Sequence, residues 1–165
     1  MDASVTAGWA EFLLAEAAAA GALAGLVFVA LSINLSRIIE APGVSGRAAE
    51  TLMVLGGALV ASLIGLIPGQ SADHLAFHLF LVGFFMWAIP TVIQVNAIRH
   101  RHYIRPAHAI SRFIFHQVAT VPMMLASLSL WGVPGGGLYW LGFGLIALLV
   151  LALINAWVLL VEIMR

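Results

Sequence analysis

Two histidines four residues apart, His74 and His78, are the first groups along the chain whose type and spacing suggest chemistry. At i, i+4 on a helix both imidazoles can face one way and share a metal, and the carboxylate of Glu16 could complete three ligands. The plainer expectation is a pair of interfacial histidines bonded to headgroups or carbonyls. A second set gathers near one end of the apolar segments: Ser32, Asn34, Gln94, Asn96, His116, Gln117 and Asn155. Such groups could line a vestibule for a small polar solute, or relay protons through His116. Their plainer use is hydrogen-bonded stapling between helices. A b-type haem needs two axial histidines facing each other at one depth. His78 and His116 are expected at opposite depths, so no cofactor is expected. Nucleophilic chemistry has no foothold either. No HExxH, GxSxG, GxGxxG or P-loop occurs, Cys is absent, and the deep titratable groups Glu16, His78 and His116 lack an obvious nucleophile partner. An enzyme is not expected.

The elements that must position these groups follow from composition. Of the 165 residues, 63% are hydrophobic and only 8% charged, with a mean hydropathy of +1.10. A soluble domain carries about 25% charged residues, so seven Arg, seven acids and no Lys cannot clothe a water-facing surface. Disorder fails on the same numbers, and a net charge of zero offers no basic face to nucleic acid. The expected surroundings are a lipid bilayer. Crossing its roughly 30 Å hydrocarbon core takes about 20 apolar residues. Five stretches fit, at about 12–35, 51–67, 75–98, 113–131 and 138–163, the second being the shortest. Turn chemistry separates them: Pro42-Gly43, Pro68-Gly69, Arg105-Pro106 and the run from Gly132 to Gly137. A β-barrel would show short alternating segments instead. The expected fold is a single all-α domain over 1–165, a bundle of five transmembrane helices.

The arginines test that count. Arg37 and Arg47 fall between spans one and two, Arg99, Arg101, Arg105 and Arg112 between three and four, and Arg165 at the end. Five spans put all seven on one side, which predicts an outer N-terminus and a cytoplasmic C-terminus. The four arginines of the third loop, with His100, His102 and His108, read as an anchor to anionic headgroups. Trp9, Trp131 and Trp140 fall at the opposite boundary, as an aromatic belt does. Small residues predict close packing: Gly21 and Gly25 on the first span, and Gly57, Ala61 and Gly65 on the second. Helical periodicity turns Glu16, Ala20 and Asn34 to one face, His116, Thr120 and Ser127 to another, and Gly144, Leu148, Asn155 and Glu162 to a third. Pro90 and Pro122, nine and ten residues from flanking arginines, are expected at matching depth near the midplane, each kinking its helix.

One resemblance adds to this reading. The run from Ala24 to Leu35, then Arg37-Ile38, Pro42-Gly43, Gly46-Arg47-Ala48, Glu50 and Ile67-Pro68-Gly69-Gln70, resembles a family of small bacterial integral membrane proteins of unknown function. Some of its members carry the description of modulators of the FtsH membrane protease. The likeness covers about residues 10–71 and implies a multi-pass protein of the bacterial inner membrane with an accessory role; it carries over no catalytic or ligand residue. The expected function is therefore non-enzymatic, through helix packing, with self-association or another membrane protein as partner. A small channel or transporter, or an intramembrane metal or redox protein, are the alternatives.

Overall fold

The structure, a computed structural model, describes residues 5–40, 44–99 and 106–163, apart from the side chains of 97, 98, 106–109, 162 and 163. After a 3-10 turn at Ala7–Trp9 come α1 (Ala10–Ile33), α2 (Leu35–Glu40), α3 (Val44–Leu66), α4 (Ala72–Arg99), α5 (Pro106–Leu130) and α6 (Leu138–Ile163). No strand occurs among the described residues. All but α2 are long and apolar enough to cross a membrane. A helix is the form such segments take, because hydrocarbon offers no partner to a free backbone N–H or C=O. The ends are set by turn residues. Gly69, Gly132 and Gly137 all have positive φ, a conformation that residues with a Cβ rarely adopt. The Gln70 amide closes the end of α3 on the carbonyls of Ile64 and Ile67, and Ser129 Oγ accepts from Gly137 N at 3.0 Å.

Four helices, α3 to α6, form a closed ring in which each packs on its neighbours and α6 returns to α3; α1 lies outside, mainly on α3. The interior is filled by Leu55, Leu79, Met123, Leu145 and Leu148, all fully buried. Small residues let the backbones close up, as lipid-embedded bundles require. A Cβ on Gly57 would collide with Met86, one on Gly65 with Leu13, and one on Gly142 with Trp9. Ala61 is fully buried too. Gly25 behaves otherwise. It has open space around it and faces outward, so the first-span GxxxG is not a packing motif within the chain.

Three further expectations are corrected. The second span begins at Val44 rather than 51, because Val44 and Ala48 bury against Ile38 and Leu159 and the helix continues through Arg47 and Glu50. The first span stops at Ile33, and Leu35–Glu40 forms a separate short helix where a tight loop was expected. The prolines are not level. Trp87 and Thr91 both bond Gln117, and a Cβ on Gly83 would meet Met123. Counting along this antiparallel pair puts Pro90 opposite His116, and Pro122 about six residues, or roughly 9 Å, farther along.

Because the chain has no Cys, single cysteines report its topology directly. Ser45→Cys and Ser71→Cys sit exposed at opposite ends of α3. In sealed vesicles an impermeant maleimide is expected to label one from outside and the other only after permeabilisation; labelling of both from outside would refute a membrane-crossing α3.

Candidate functional site

Glu50, the acid that interrupts the apolar run of α3, points into the ring and is 7% exposed. An isolated carboxylate there is costly, so the surrounding helices must answer it. They do so with three side chains. Arg112 of α5 donates from Nη2 to Glu50 Oε2, forming an ion pair. Gln94 of α4 donates from Nε2 to Oε1 at 2.9 Å. His116, one turn above Arg112 on α5, holds Nδ1 4.0 Å from the same Oε1. Helical spacing explains the set: Arg112 and His116 are i, i+4 and share a face, and Gln94 lies opposite Arg112 in the α4–α5 register fixed above.

The cluster is enclosed except on the Arg112 side. His116 is 0% exposed, Gln94 3%, and the Arg112 side chain 17%. The backbone carbonyls of Trp87 and Met86 face the His116 ring from α4, and neither ring nitrogen completes a hydrogen bond. Pro90, lacking an N–H, leaves the Met86 carbonyl without its helical donor. Thr120 Oγ1 bonds the His116 carbonyl at 2.8 Å. On the adjoining face Gln117 takes the Trp87 indole N–H at 2.5 Å and donates to Thr91 Oγ1 at 3.2 Å.

The polar set expected from the sequence is thus gathered only in part. Gln94 and His116 meet at one centre. Gln117 serves a neighbouring bond, while Ser32 and Asn34 turn back to the carbonyls of Phe28 and Ala30 on their own helix. Asn155 is buried, its Nδ2 without a partner, and Asn96 is exposed. His116, Thr120 and Ser127 form the buried stripe that periodicity required, as do Gly144, Leu148 and Asn155; the side chain of Glu162 lies outside the described residues.

Arg112 corrects a specific expectation. α5 begins at Pro106, so Arg112 lies nearly two turns inside the helix and binds a carboxylate rather than headgroups. Arg99 is exposed in the last turn of α4, and Arg101 and Arg105 lie outside the described residues. The metal set does not assemble. His74 and His78 are exposed on α4, His78 Nδ1 lies 2.7 Å from the His74 carbonyl, and α3 stands between α4 and the helix that carries Glu16. No three His, Asp or Glu among the described residues gather as metal ligands. Glu16 is itself buried, with Oε1 unpartnered.

Glu50 and Arg112 are the members that sequence reasoning missed, although Arg112 precedes His116 by one turn and Glu50 is the one acid in its apolar stretch. Breaking such a pair strands a buried charge. Glu50→Ala or Arg112→Ala alone is expected to lower the unfolding free energy of the purified protein by about 3 kcal/mol. The double variant Glu50→Leu/Arg112→Met is expected to recover most of that loss, and equal losses in single and double variants would show that the pair is not the cause. No protein family, curated protein or solved structure matches the chain, so the geometry itself carries the functional reading.

Proposed function

We propose that this chain is a multi-pass protein of the bacterial inner membrane that catalyses no reaction and works by lateral helix packing, as a homo-oligomer or as an accessory subunit. The observation that carries the reading is the outward face of α1. Ala15, Ala18, Ala22 and Gly25 follow one another at helical spacing, all exposed, and a Cβ on Gly25 would meet no described residue. In lipid, helices associate through close van der Waals approach and small side chains, because apolar area alone provides no drive. Gly57 and Gly65 of α3 already meet Met86 and Leu13 within the bundle, whereas this stripe offers the same kind of surface to a second helix. The resemblance of residues 10–71 to small bacterial membrane proteins supports the accessory role and the inner-membrane location. Arg37, Arg47, Arg99 and Arg112 all belong to one end of the bundle, which supports a cytoplasmic placement of that end and an outer N-terminus.

The transport alternative has less support. Between the level of Glu16 and the Glu50 cluster the interior is occupied by Val54, Leu55, Met123, Leu145 and Leu148, each buried and apolar.

Cross-linking in native membranes tests the proposal. Ala22→Cys carrying a thiol-attached photoreactive cross-linker is expected to give a cross-linked product, at twice the chain's mass for self-association or at another mass for an accessory role. Adding Ala18→Leu and Gly25→Leu is expected to reduce its yield about tenfold, equivalent to ~1.4 kcal/mol, without disturbing the helical content. Absence of any product, or a yield indifferent to the two leucines, would refute α1 as the docking helix.

A further inference from the structure

We propose that His116, Glu50, Gln94 and Arg112 form a buried proton-binding site, in which His116 takes up the proton and the Glu50 carboxylate and the α4 backbone hold it. This is independent of any association through α1.

The argument begins with an inventory of donors and acceptors. Glu50 contributes two carboxylate oxygens, Gln94 contributes a buried Oε1 that has no partner, and the carbonyls of Met86 and Trp87 face the same ring. Against these stand Arg112 and one Gln94 N–H as donors to Glu50, with the unpartnered Asn155 Nδ2 at about the same level on α6. Glu50 Oε1 and the two α4 carbonyls thus face an imidazole whose two nitrogens are both buried and both without a hydrogen bond. A neutral imidazole can donate from only one of its nitrogens, and a protonated one donates from both. An unsatisfied buried polar atom costs about 1–3 kcal/mol, so a site with this surplus is suited to a ligand that adds a donor. A proton does so without needing space, which the packing around His116 does not offer.

Charge sets the limits of the site. With His116 neutral, Glu50 and Arg112 cancel; one added proton leaves a net charge of +1. Burial of the ring opposes that charge most, Arg112 on the same helix adds to the opposition, and Glu50 on α3 favours it at 4.0 Å. α4 brings Gln94 and the two carbonyls but no titratable side chain at this level, and Pro90 is the reason the Met86 carbonyl is available. α6 brings Asn155 to about the same level, and the titratable group among its described side chains, Tyr139, is at the far end. α1 does not belong to the ring that encloses the site.

The test uses the full chain, labelled with 15N-histidine, in phospholipid bilayers, with the His116 resonances identified by their loss in His116→Gln. As pH falls from about 8.5 to 5, the His116 signals are expected to change reversibly from imidazole to imidazolium. In Glu50→Gln the imidazolium-to-imidazole ratio at a given pH is expected to fall about tenfold or more, since the favourable charge is gone and Arg112 is unopposed. Glu50→Asp, which keeps the charge but shortens its reach, supplies the comparison if Glu50→Gln does not fold, with a smaller fall in the same direction. A His116 ring that keeps one protonation state across the range overturns the proposal. So does a folded Glu50→Gln protein, or a folded Glu50→Asp protein where Glu50→Gln fails, whose ratio equals that of the wild type.

Discussion

A charged carboxylate inside a helical bundle is costly unless a cation answers it, and at Glu50 the answer comes from another helix. Glu50 on α3 and Arg112 on α5 lie on non-adjacent members of the four-helix ring, so their bond spans the bundle's interior. Gln94 fills in from α4, between them in the ring order. Together these side chains fix the relative height of three helices at one level, which apolar packing alone specifies loosely. Sliding any one helix by a turn, about 5.4 Å, would break the ion pair or strand its charges.

The rest of the architecture divides the work by depth and by face. Toward the middle and the far end, contact rests on shape: Met86 against Gly57, Leu13 against Gly65, Met123 and Pro122 against Gly144. At the arginine-bearing end it rests on hydrogen bonds and charge. α1 takes part only in the shape-based contacts, which is why one side of it can remain open while α3 is covered on several sides. Pro90 links the two regimes, because the carbonyl it frees is turned toward the buried histidine rather than toward lipid.

Much of the fold was legible in the sequence, since length and apolarity are what a spanning helix requires and both are read directly from residue order. The five spans, the small-residue packing of Gly57, Ala61 and Gly65, and the buried stripe of His116, Thr120 and Ser127 are of this kind. Two of the differences share one cause. Hydropathy treats a charge as the end of a span, so Glu50 and Arg47 cut the second stretch short and Arg112 reads as part of a loop. The partner that makes Glu50 tolerable is 62 positions away, a separation that local pattern cannot bridge. The depth of the two prolines failed for a related reason: flanking arginines are poor rulers when one of them is inside the helix. Periodicity likewise states that Ser32 and Asn34 are polar groups on a helix, but not that they spend their hydrogen bonds on their own backbone.

The start of α1 is seated on two glycines far away in the sequence. Leu13 rests on Gly65 and Trp9 on Gly142, and Thr6 bonds the Gly65 carbonyl. Each glycine is a socket that any larger residue would fill, so a single methyl group at position 65 or 142 would lift the amino end of the chain off the ring while leaving the buried ion pair in place.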